Sequence, residues 1–241
     1  MLTERQIELL QAIIDDYITT AEPVGSVEIV KNHNLRCSPA TVRNEMAKLI
    51  DMGFLEMLHT SSGRVPTKMA YKLYIQDLMT EEELPVLQEV ALKQRLWTNR
   101  FEVEKLLRET TLALADATEC LSIATTDDGF VTYAGAVNVL EHKEYWDIDI
   151  AKATLKILDE FDTLNRIFQS VMPGQETYTL IGDEIPVEKL EKSTLIFTPF
   201  RIGEKTGNIA ILGPSRLNYS KTIPIVKYTR KLRKTDKRTS R

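Results

Sequence analysis

Cysteine and histidine are scarce in this sequence. The two cysteines, Cys37 and Cys120, and the three histidines, His33, His59 and His142, are scattered among 241 residues. None falls at a metal-ligand spacing, and two isolated thiols make no disulfide framework, so no metal is expected. Gly203, Gly207 and Gly213 stand too far apart to cradle a phosphate, and neither a Walker nor a dinucleotide pattern occurs, so no cofactor is expected. No apolar run approaches the roughly 20 residues that a membrane span needs. The opening residues MLTERQIELL carry acid early and show no signal-peptide pattern, so a cytoplasmic location is expected. Asp127 and Asp128 could act as a carboxylate pair, but a hairpin turn explains them more simply. No nucleophile–base pairing is legible, and the chain is not expected to be an enzyme.

Hydrophobic residues make up 43% of the chain and charged residues 27%, which is ordinary for globular protein, and the length suits two domains. The net charge of −4 hides an uneven distribution. Residues 81–226 hold 15 Lys/Arg against 24 Asp/Glu, whereas residues 227–241 hold 8 against 1. Within residues 31–74 the balance is 7 basic to 3 acidic. Salt screens charge over about 8–10 Å, so this local excess outweighs distant acid for a polyanionic partner.

Residues 38–74 organise the first part of the chain. Ser38 is a good N-cap and Pro39 suits the first helical position. Val42, Met46 and Leu49 then form one apolar stripe, while Thr41, Arg43, Asn44 and Lys48 lie off it. Gly53 ends the helix in the left-handed conformation. Such a helix can enter a DNA major groove or can be an ordinary amphipathic surface helix, and its surroundings must decide.

Those surroundings favour DNA. Thr3 and Gln6 form a capping box that starts a helix near residue 4, with Ile7, Leu10, Ile14, Tyr17 and Ile18 on its apolar face. Pro23 stops it. A short helix over about 25–32 follows, with Val27 and either Val30 or Ile29 turned inward, and then a turn leads into the helix after Ser38. This is a helix-turn-helix order. Residues 54–59 read as a strand, residues 60–63 as a turn with Gly63 supplying an awkward dihedral, and residues 64–66 as a return strand that Pro66 confines to an edge. His59, Ser61, Ser62 and Arg64 sit at this wing, where hydroxyls and a guanidinium suit phosphate. The candidate DNA-binding set is therefore Ser38, Thr41, Arg43, Asn44, Lys48, His59, Ser61, Ser62 and Arg64. Thr67 caps a further helix containing Ala70, Tyr71, Tyr74, Ile75 and Leu78.

Residues 84–117 are helical in pattern, with apolar residues dense enough to pack on a core or on a second subunit, and a homodimer is expected. From residue 120 the period changes to strands at 120–125 and 130–135, a helix over 147–169, three further strands and a closing helix near 219–233. This is an α+β domain with an antiparallel sheet. The basic tail from Lys227 reads either as extra phosphate binding or as a solvated helix end that suits the helix dipole.

PVGS at 23–26, SPATVRNEM at 38–46, LIDMGFL at 49–55, HTSSGRVPT at 59–67 and GNIAILGPSRLNYSKTIPIV at 207–226 resemble the HrcA family of heat-inducible transcription repressors. Leu217 replaces the usual Met, and Ala70 a usual Gly. The resemblance implies an N-terminal winged helix-turn-helix followed by a GAF-like α+β domain. It implies a dimer on an inverted-repeat operator of double-stranded DNA, repressing chaperone operons, with a GroEL-type chaperonin maintaining active repressor. Family members carry a dimerisation insert for which this chain has no room. The expected division is a winged-helix domain over 1–80, a helical linker and dimerisation region over 81–117, a shortened GAF-like domain over 118–235 and a basic tail over 236–241. The alternative reading is a regulator that binds a small molecule in the GAF-like domain, marked by a polar group in a large apolar pocket.

Overall fold

The structure is a computed structural model and describes residues 2–33, 37–58, 63–99 and 101–231. Two compact units partition the chain. The first holds Met1–Thr80 and Arg216–Ser220, the second Glu81–Ser215 and Lys221–Arg241. Among the described residues no helix is long and apolar enough to cross a membrane.

The first unit begins with α1, Glu4–Thr20, whose start is set by the capping box. Thr3 Oγ1 accepts from the Gln6 amide at 3.3 Å, and Gln6 Oε1 accepts from the Thr3 amide at 3.0 Å. The helix ends just ahead of Glu22-Pro23, with Ala21 in the left-handed region at φ 55° and its amide bonded to the Tyr17 carbonyl. Leu9, Leu10, Ile13 and Ile14 are buried on α1, each stabilising by roughly 1.5–3 kcal/mol. Helix α2, Ser26–His33, buries Ile29 and leaves Val27 exposed, so of the inward candidates Ile29 is the one used. Helix α3, Pro39–Asp51, buries Val42, Met46 and Leu49 as its stripe required.

The wing is shorter than its sequence suggests. Strands β1, Leu55–Glu56, and β2, Val65–Pro66, pair Leu55 with Pro66 and Glu56 with Val65. Pro66 has no amide hydrogen, which ends the ladder. The return strand is not a free edge, because Arg64 and Val24 exchange two backbone hydrogen bonds of 2.9 Å. This pairing explains Gly63. Its φ is not in the left-handed region, but a Cβ there would stand 2.5 Å from the backbone of Pro23, so the position needs space rather than an unusual dihedral. Thr67 closes the wing base, donating to the Gly53 carbonyl at 2.7 Å and capping α4, Lys68–Leu73. A π turn over Tyr74–Leu78 follows and was not foreseen. In it the Met79 amide reaches the Tyr74 carbonyl at 2.8 Å.

In the second unit, residues 84–117 form two helices rather than one: α5, Val86–Thr98, and α6, Val103–Thr118. Strands β3, Leu121–Thr126, and β4, Val131–Ala134, come next. The helical region after Asp147 is split into α7, Ile148–Lys156, and α8, Phe161–Gln169, by a 3-10 turn. Strands β5, Tyr178–Ile181, β6, Ser193–Ile202, and β7, Lys205–Pro214, complete an antiparallel sheet in the order β4-β3-β7-β6-β5. Helix α9, Tyr219–Lys231, closes the described chain, and Tyr219 and Ser220 belong with the first unit. Late β3 and early β7 are tied through the turn after Thr126, where Asp127 accepts from Thr206 and Asp128 pairs with Lys205. These carboxylates are turn residues. One sheet face carries a core of Leu121, Ile123, Leu195, Phe197 and Leu212 with Tyr145, Leu164 and Phe168.

Candidate nucleic-acid interface

Helix α3 is built to show one face. With Val42, Met46 and Leu49 buried, Ala40, Arg43, Asn44, Ala47, Lys48 and Asp51 are exposed at helical spacing. Arg43 offers a planar fork that matches guanine edges or phosphate, and Asn44 an amide that matches adenine. Ala40 and Ala47, which polar patterning alone did not single out, are also exposed and add little bulk to this face.

The N-terminus of α3 uses two of the candidates internally. Ser38 Oγ accepts from the Thr41 amide at 3.2 Å, and the Ser38 and Thr41 hydroxyls lie 3.0 Å apart. Ser38 remains exposed, so it can cap the helix and still meet a phosphate. Thr41 is half-buried.

Lys48 is not a bare cation. Its Nζ donates to Glu45 Oε1 at 2.8 Å, one turn back on the same helix. Glu45 Oε2 in turn accepts from Gln6 Nε2 at 2.9 Å. Hydrogen bonding to Lys48 first, and to Gln6 second, holds the Glu45 carboxyl below the ordinary glutamate range. Gln6 thus has two uses, its Oε1 in the capping box and its Nε2 on α3. The capping box was legible in sequence, whereas the second contact joins residues 39 apart.

Arg64 is half-buried at the wing, held by its backbone pairing with Val24. His59, Ser61 and Ser62 lie outside the described residues. The structure therefore brings Ser38, Thr41, Arg43, Asn44 and Lys48 onto one helix and puts Arg64 on the adjoining wing strand.

Behind this face, α1 is linked to the π turn after α4 by Tyr74 Oη, which donates to Asp15 Oδ1 at 2.9 Å. Burial pushes the Asp15 carboxyl above its ordinary range, against the lowering effect of the Tyr74 bond. His33 and Asp16 meet at 2.7 Å and join α2 to α1. These contacts tie α1 to α2 and to the π turn through polar groups at the edge of the apolar core.

Three helices, a wing and a polar exposed third helix define a winged helix-turn-helix protein. A family model described as the winged helix-turn-helix transcription repressor HrcA DNA-binding domain matches residues 1–79, and one for the HrcA protein C-terminal domain matches residues 45–223. The chain belongs to the HrcA family. The heat-inducible transcription repressor HrcA of Acetivibrio thermocellus is 26% identical over 329 aligned positions, covering 94% of each chain. That of Halalkalibacterium halodurans is 27% identical over 333 positions, covering 96% of each. Both alignments are longer than the 241 residues here, so these relatives carry residues with no counterpart in this chain. The Clostridium tetani relative reaches 42% identity over 140 positions, 58% of this chain and 40% of its own. A crystal structure at 2.2 Å, described as that of a hypothetical protein, shares the fold with a TM-score of 0.74 and 17% identity, covering 95% of this chain and 96% of its own.

Proposed function

We propose that this protein represses heat-shock chaperone operons by binding an inverted-repeat operator as a homodimer. The exposed face of α3, with Arg43 and Asn44 beside the wing, carries the reading, and family membership supplies the promoter class. In this reading Arg43 and Asn44 read base edges. Lys48, Ser38 and Arg64 set the register on phosphate, as do the wing-tip residues His59, Ser61 and Ser62. The acidic composition of residues 81–226 weakens non-specific attraction and leaves affinity to specific contacts. The protein acts in the cytoplasm, and a GroEL-type chaperonin maintains its active form.

The small-molecule reading receives less support. The GAF-like sheet face is filled by its own side chains, and the buried Tyr145 hydroxyl is already satisfied by Ser193 at 3.1 Å. A cavity of about 730 Å³ in the same unit is lined by charged residues, Glu81, Glu89, Lys227 and Arg230 among them, together with Leu84, Val86, Pro224 and Tyr228, a mixed cleft rather than an apolar pocket with a lone polar group.

A gel-shift titration with chaperone-operon promoter DNA at two salt concentrations tests the proposal. Binding that survives moderate salt and competitor DNA is the expected result. Binding that loses all preference for the operator would overturn it.

A further inference from the structure

The first unit is not built from residues 1–80 alone. Arg216–Ser220, the stretch after β7 that includes the first residues of α9, packs with it. Leu217 and Tyr219 are buried there, Tyr219 completely. The Tyr219 ring lies against that of Tyr71 on α4, with centroids 5.7 Å apart and planes tilted by 52°, a geometry that aromatic pairs favour. Helix α4 depends on such packing. It has six residues, well short of the roughly 12–15 at which an isolated helix is even marginal in water. What α4 holds in turn is the wing base and the end of α3. The Tyr71 amide donates to the Thr67 carbonyl at 3.1 Å, the Thr67 amide to the Phe54 carbonyl at 3.0 Å, and the Phe54 amide to the Leu49 carbonyl of α3 at 2.9 Å. The Thr67 hydroxyl adds its bond to the Gly53 carbonyl. An unbroken run of contacts thus joins Tyr219 to the helix that carries Arg43 and Asn44.

We propose that Tyr219 is a positioning residue for DNA binding: its ring fixes α4, and α4 fixes the wing base and the end of α3. Groups that must meet base edges need supporting side chains locked by packing, and a buried aromatic ring is a rigid support. The ring makes the contact with Tyr71, so the ring rather than the hydroxyl carries the role. A side chain that only filled the core would add to stability without setting where α3 and the wing stand. The inference rests on the repressor reading and deepens it, by making operator affinity depend on a residue far outside the winged-helix stretch of the sequence.

The test uses the full chain, with circular dichroism to check folding. Two quantities are read: amide hydrogen exchange at Phe54 and Thr67, and affinity for chaperone-operon DNA against an unrelated duplex. In Tyr219→Ala both amides are expected to exchange faster. Operator affinity should fall about tenfold, the loss of roughly one base contact, while affinity for the unrelated duplex holds. Tyr219→Phe, which keeps the ring, should restore both readings. Tyr178→Ala removes a ring stacked on Phe197 in the second unit and controls for general loss of stability. It should leave exchange at Phe54 and Thr67 as in the wild type. If Tyr219→Ala does not fold, Tyr219→Leu, with apolar bulk but no ring, is read in the same way. Unmoved exchange, unchanged operator affinity, or equal acceleration in Tyr178→Ala overturns the inference. Should the wild type fail to select operator DNA, the repressor reading falls, and exchange still decides whether Tyr219 fixes α4. Selective operator binding by the wild type, with exchange unmoved in Tyr219→Ala, gives the reverse.

Discussion

Gln6 on α1 donates its side-chain amide to Glu45 on α3 at 2.9 Å, and the same carboxylate accepts from Lys48 at 2.8 Å. Gln6 is buried, only 5% exposed, so the first helix fixes a charged group on α3 from behind. Glu45 thereby restrains the nearest cation on the exposed face. Replacing Glu45 with Gln keeps the acceptor for Gln6, releases Lys48 and removes a negative charge beside the proposed DNA-binding face. Operator affinity should rise at low salt, and the slope of log affinity against log salt should steepen by about 1. An unchanged slope would show that Lys48 does not reach phosphate.

Two carboxyls of the first unit respond to pH in opposite senses. Glu45 is depressed in the folded state, so its contribution is present at neutral pH and is lost as pH falls through the depressed value. Asp15 is raised by burial, so the folded state binds its proton more readily than the unfolded chain, and its contribution declines as pH rises through the raised value. Asp15→Asn preserves an acceptor for Tyr74 and is never charged. The urea midpoint of this variant should exceed that of the wild type at neutral pH and converge with it below the ordinary aspartate range. An equal offset at both pH values would assign the effect to packing instead.

Gly63 is required by close approach of two backbones, since a Cβ would sit 2.5 Å from Pro23. Gly63→Ala should cost about 1–3 kcal/mol through displacement of the wing strand from Val24. Thermal melting measures the cost. A variant with wild-type stability would mean that the segment shifts without penalty.

Arg43 and Ser38 separate reading from folding. Arg43→Ala should lose about 1–3 kcal/mol of operator binding and relax discrimination at one base position, with stability unchanged. Ser38→Ala should lose about 1 kcal/mol of stability through the cap, and operator binding should fall with it. Unaltered operator affinity in Arg43→Ala would remove that residue from the interface.

Helix α3 was legible because its signals are local. Ser38 caps it, Pro39 opens it, the Val42, Met46 and Leu49 stripe orients it, and Gly53 at φ 81° follows its end. The sheet of the second unit was legible for the same reason, as strand periodicity and turn residues lie within each segment. Gly63 was misjudged because a glycine can serve a dihedral or a close approach, and only the neighbouring backbone distinguishes them. The helical pattern over 84–117 does not locate the break between α5 and α6, because no proline or glycine marks residues 99–102. Leu96 of α5 and Leu106 of α6 belong to one buried cluster.

The sequence by itself determined which residues face out of α3, the family and the order of elements, all properties of short stretches. Tertiary structure alone decided that Glu45 is gripped by Gln6, that Arg64 is strand-paired to Val24, and that Leu92 and Leu96 of α5 are buried while Leu87 and Val90 stay exposed. Each depends on which distant surfaces meet. Periodicity names a helix's apolar positions, but only packing against distant segments decides which of them are buried.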